Sequence, residues 1–181
     1  MLQSYTHNEM LRLWRMRAGL DPALADCTVE AVEGLDADAV IAPRMRSWYL
    51  NLLDTARPEL LPMEDIAAEM VLMNSITGTS VAVIPPRARR VIELRLSSWK
   101  NTARPVAPAD DVRSHTLALN PYSAPGSVRP LCSVCGRRLY LSPAAPSEKL
   151  SMALAVVDPG AGTYTLDESL LEQIPDIFSQ K

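Results

Sequence analysis

Apolar residues recur at helical spacing through the front third of the chain and then change to short alternating runs. Helices are therefore predicted first and strands after. Met10, Leu13, Trp14 and Ala18 share one helix face, with Arg12 and Arg15 elsewhere. Thr6 and Glu9 stand at capping-box spacing, where each side chain satisfies a backbone amide left free in the first turn, and Gly19 offers a stop. Asp21-Pro22 resembles a second helix start, but residues 28–33 alternate as a strand would, so helix and strand both stay open there. Ile41, Met45, Trp48, Tyr49, Leu52, Leu53 and Ala56 trace one stripe opposite Arg44, Ser47, Asn51 and Asp54, predicting a helix over 36–56. Pro43 has no amide hydrogen to donate, so this helix either kinks there or begins there.

Pro58 and Pro62 close the helical part. Strands are predicted over 67–73, 80–84, 89–97, 114–119, 128–134, 137–141, 150–157 and 163–166. In the third, Ile92, Leu94 and Leu96 alternate with Val91, Glu93 and Arg95, the mark of a strand with one wet face. Gly78, Cys135-Gly136 and Asp158-Pro159-Gly160-Ala161-Gly162 are the expected hairpin turns. Asp167 reads as the N-cap of a short helix over 168–174 that Pro175 stops, and the tail over 176–181 orders only by docking on something. The expected fold class is α+β: a helical region over 1–62, then an antiparallel β-rich region over 63–181 with a short C-terminal helix.

Composition sharpens this. A chain of 181 residues, 48% hydrophobic and 22% charged, buries a core without disulfide or metal staples. The net charge of -3 argues against a whole-protein nucleic-acid binder, which needs excess Lys and Arg to displace counterions. The three cysteines, Cys27, Cys132 and Cys135, are too few for a disulfide framework and suit a reducing compartment. Glu9 and Arg12 interrupt any signal-peptide core, and the longest apolar runs fall far short of the ~20 residues of a bilayer span. A soluble protein made in the cytoplasm, with no membrane partner, is expected.

Cys132-Ser133-Val134-Cys135-Gly136 is the one motif with chemistry attached. A C-x-x-C-G turn places two thiolates on one zinc, but a tetrahedral site needs two more ligands, drawn from Cys27, His115 and His7. The plainer reading makes these cysteines small, partly buried strand residues, which leaves no metal and no cofactor. A basic run, Arg87, Arg89, Arg90, Arg95, Lys100 and Arg104, is opposed only by Glu93. It reads either as a solvated sheet face that discourages edge pairing, or as an interface or channel surface for carboxylates or phosphates. The acidic stretch 148–176 complements it, as head-to-tail subunit contacts require. His7 and His115 lack a nucleophile context, and neither a G-x-S-x-G elbow nor a glycine-rich phosphate loop occurs. No catalytic residue and no small-molecule substrate are expected. Trp14, Trp48 and Trp99 read as core anchors.

The order of elements resembles the head–tail connector or adaptor proteins of tailed bacteriophages and prophages. The resemblance runs through Ser47-Trp48-Tyr49-Leu50-Asn51-Leu52-Leu53, Pro85-Pro86 leading to Val91-Ile92-Glu93-Leu94, and Arg129-Pro130 leading to Leu139-Tyr140-Leu141-Ser142-Pro143. It closes on Leu166-Asp167-Glu168 and Leu170-Leu171-Glu172-Gln173-Ile174-Pro175. It implies a non-enzymatic virion protein, made in the bacterial host cytoplasm, that joins copies of itself into a ring between portal and tail, with DNA only as passing cargo. Many such adaptors carry a longer helical C-terminal arm than the residues after Pro175 provide. Two other classes stay in view: a small zinc-binding interaction or regulatory module built on Cys132 and Cys135, and a hydrolase without a recognisable motif.

Overall fold

The computed structural model describes residues 1–18, 37–74, 78–107, 109–112, 116 and 126–175. The chain is α+β, with helices and predominantly antiparallel sheets. It divides into two compact units, Met1–Pro62 with Asp158–Lys181, and Met63–Val157. The first therefore takes in the C-terminal segment that the sequence reading grouped with the β-rich region.

In the first unit, strand β1 (Leu2–Thr6) pairs antiparallel with β10 (Thr163–Asp167), from Leu2↔Asp167 to Thr6↔Thr163. No strand was predicted at β1, because its alternation is short and its partner lies at the other end of the chain. Thr6 ends β1 and caps helix α1 (His7–Arg17). The Glu9 amide donates to Thr6 Oγ1 at 3.3 Å, and the Thr6 amide donates to Glu9 Oε2 at 2.7 Å. Helix α1 buries Met10, Leu11 and Trp14, so Leu11 takes the inward place expected of Leu13. Helix α2 (Ala37–Thr55) buries Ile41, Met45, Tyr49, Leu52 and Leu53, the predicted stripe, and runs through Pro43. It begins before that proline. The Trp14 and Trp48 rings meet edge to face at 5.7 Å, and Arg15 Nε donates to Asp38 Oδ1 at 2.7 Å.

Asp167 caps the turn that follows β10 by accepting from the Ser169 amide at 3.1 Å. That turn, Glu168–Gln173, is a 3₁₀ helix, with Leu170 and Ile174 buried.

The second unit packs two sheets around one core. One sheet has the order β2 (Met63–Asp65), β9 (Leu150–Val157), β5 (Ala88–Leu96). The other runs β3 (Val71–Met73), β4 (Ser80–Val83), β8 (Arg138–Ser142), β7 (Leu131–Cys135), β6 (Pro105–Val106). Every pairing is antiparallel except β6 with β7. Between the sheets lie Val91, Leu94, Leu96, Leu139, Leu141 and Trp99, whose indole donates to Pro143 O at 2.6 Å.

The expected strand over 67–73 is split: Ala67–Glu69 forms a 3₁₀ turn and only Val71–Met73 pairs. The β7–β8 hairpin turns at Gly136 (φ +58), the position where a two-residue loop calls for a left-handed residue. Residues 158–162 do not close a hairpin, because β9 pairs with β2 and β5 while β10 pairs with β1. The strand expected over 114–119 lies outside the described residues but for Thr116, which is helical, its hydroxyl donating to Val112 O at 2.8 Å; the segment 28–33 and the tail 176–181 also lie outside them.

Candidate interaction surface

Strand β5 departs from simple alternation. Its register shifts between Ala88 and Arg90, between Val91 and Glu93, and between Arg95 and Leu96. The first two place an extra residue on β5 and move the following side chains to the other face; the third places it on β9 and leaves the alternation of β5 intact. Val91, Leu94 and Leu96 consequently enter the core while Ile92 is only half-buried, which corrects the phase read from sequence.

The same irregularities disperse the basic run. Arg87 is held by two acids: its Nε donates to Glu69 Oε2 at 2.8 Å and its Nη1 to Glu64 Oε2 at 2.6 Å. Those bonds raise the Arg87 pKa, and the Arg87 bond holds Glu69 below the usual glutamate range. Glu93 is therefore not the sole acid against this run, since Glu64 and Glu69 reach it through the fold. Arg89 falls in the first irregularity, Arg90 stands across from Val156, and Arg95 stands across from Met152 and donates to Ser151 Oγ at 3.1 Å. Lys100 and Arg104 follow β5 and are exposed. The six cations do not form one period-two stripe.

Cys132 and Cys135 are three residues apart on β7, so pleating sends them to opposite faces. Cys132 sits in the core, where burial pushes its thiol pKa up, and Cys135 is exposed beside the turn. The pair does not converge on one ion. Among the described residues no group of three His, Cys, Asp or Glu is placed to hold a metal. Cys27 and His115 lie outside the described residues.

The first unit holds a cluster that sequence reasoning missed. Arg46 pairs with Asp158, and its Nη1 donates to Gly160 O at 3.3 Å. Its guanidinium lies over the Tyr49 and Tyr164 rings at 5.8 and 6.0 Å. Those rings meet edge to face at 5.0 Å, and the Tyr164 hydroxyl is 3.5 Å from His7 Nδ1. Burial pushes the Tyr49 phenol up to about 12 and raises that of Tyr164. The hydrogen bonds of Arg46 and Tyr49 end on the backbone or side chains of residues 158–165, which suits fastening that segment. No local signal marks the cluster, since Arg46 and Tyr49 lie more than a hundred positions from the 158–165 segment they hold.

At its β3 and β4 end the outer face of the five-stranded sheet is apolar, and it turns polar across β8 and β7 at Arg138, Ser142 and Ser133. Leu72, Ala82, Leu139 and Leu141 face the core, so Val71, Met73, Val81, Val83 and Tyr140 point away from it. Charge is also divided between the units. The first carries fourteen Asp and Glu against seven Arg and Lys, an excess of seven negative charges; the second carries seven against eleven, an excess of four positive. Among the described residues no helix is long and apolar enough to cross a membrane. Comparison with family models, with curated proteins and with solved structures finds no match.

Proposed function

We propose that this protein is a non-enzymatic assembly component whose copies join head to tail, in the manner of a phage head–tail adaptor ring seated between portal and tail. The observation that carries this reading is the opposite formal charge of the two units. Like units repel and unlike units attract, so the chain favours contacts that set the first unit of one copy against the second unit of another; a two-fold contact does this twice and closes, and a head-to-tail contact does it once. Such a contact leaves a free surface at each end, and repetition closes a ring when the rotation allows.

The arrangement of the ionisable groups agrees with this. Arg87, Arg46, Glu148 and the buried tyrosines are engaged in fastening loops and strands. In this reading the protein is made in the bacterial host cytoplasm and ends in the virion. Its partners are its own copies, the portal and the tail proteins, and DNA passes without tight binding, as the net charge of -3 favours. Mass photometry of the purified protein, alone and with a portal ring, tests the proposal. Discrete rings on the portal are the expected result. A protein that stays monomeric and never engages a portal sinks it.

A further inference from the structure

We infer that the core-distal face of β3, β4 and β8 is the docking surface for a second copy of this chain, which presents its acidic first unit. This rests on the oligomeric reading above and specifies which face is used. An antiparallel sheet with one face on the core normally carries polar side chains on the other. Here the register brings Val71 opposite Val83, Met73 opposite Val81, and Val81 opposite Tyr140. Val71 is 62% exposed and Met73 48%. Strand β3 is also the edge of its sheet and only three residues long, so among the described residues no strand pairs beyond it.

Charge selects the occupant. Arg138 is exposed on the same face, across from Val83, and the unit around it has an excess of four positive charges. Meeting the same face of another copy would oppose two positive units. Meeting the first unit of another copy sets that excess against seven negative charges. An apolar centre with a charged rim is also the usual anatomy of a specific protein contact.

The double variant Val71→Glu/Met73→Glu tests the surface, since both side chains are exposed and neither belongs to the core. Its thermal melt should match that of the wild type. Its self-association, measured by analytical ultracentrifugation, should weaken by about tenfold or more, the effect of removing central contact residues. Placing the photo-crosslinker p-benzoylphenylalanine at Met73 identifies the occupant by mass spectrometry of the cross-linked dimer. Cross-links to residues 1–62 or 158–181 of the other copy are expected. Cross-links to residues 63–157 of the other copy, or only to portal, overturn the assignment. Wild-type self-association in the double variant overturns it too, while rings that still form on the portal leave the adaptor reading standing. A wild-type protein that is monomeric even with portal removes both.

Discussion

The Tyr49 hydroxyl and the Thr165 backbone engage each other twice: the hydroxyl donates to Thr165 O and accepts from the Thr165 amide, both at 3.0 Å. One side chain of α2 thus satisfies both polar groups of a residue in β10 and holds that strand where β1 pairs with it. Tyr49→Phe keeps the ring but strands both groups. Leaving a buried donor or acceptor unpaired costs about 1–3 kcal/mol. Urea denaturation should show a loss in that range, and a midpoint equal to wild type would contradict the role given to this hydroxyl.

Glu148 predicts an acid limb in stability. Its carboxylate accepts from Ser97 Oγ at 2.7 Å and from the Ser98 amide at 3.3 Å, and it is close to the Ala145 amide. Burial alone pushes its pKa up, but the hydrogen bonds from Ser98, Ser97 and Ala145 together outweigh it, and the net shift is downward from 4.5. A carboxyl depressed in the folded state adds stability above its unfolded pKa and loses it as pH falls through the folded value. Stability should therefore decline below the ordinary glutamate range, and Glu148→Gln should flatten that decline while lowering stability near neutrality. Melting temperatures between pH 3 and pH 7 measure it; parallel curves for the two proteins would contradict it.

The two β7 cysteines should differ sharply in reactivity. In a Cys27→Ser background, Ellman's reagent should titrate one thiol in the native protein and the second only in denaturant, because Cys132 is buried with a raised pKa and Cys135 is exposed. Cys135→Ser should abolish the native reaction. Two equally fast thiols, or stoichiometric zinc that is lost on mutating Cys132→Ser, would show that β7 is arranged differently.

The register of β5 is open to a direct test. Leu94→Ala should cost about 2–5 kcal/mol, as truncation of a fully buried leucine does. Ile92→Ala should cost clearly less, since the irregularity between Val91 and Glu93 leaves Ile92 half-buried. Chemical denaturation of the two variants compares them, and equal losses would restore the simple alternation.

What the order of residues settles here is local. The capping box at Thr6 and Glu9 forms because three residues are enough to bring side chain and amide together. The α2 stripe forms because its period matches the helix over nineteen residues. The β7–β8 hairpin follows from one glycine in a two-residue loop. Distant pairings leave no such trace. The partnership of β1 with β10, the Arg46–Asp158 pair, and the acids that hold Arg87 each join segments whose separation carries no periodic signal. The phase of β5 is hidden for a related reason: an extra residue is invisible in the hydrophobic pattern until the partner strand shows which side chains it opposes. The apolar outer face emerged only when Val71, Met73, Val81, Val83 and Tyr140, drawn from three strands, were placed side by side. Short-range geometry is written along the chain, whereas a surface is made by closing long loops, and the free energy of that closure is supplied by the core as a whole.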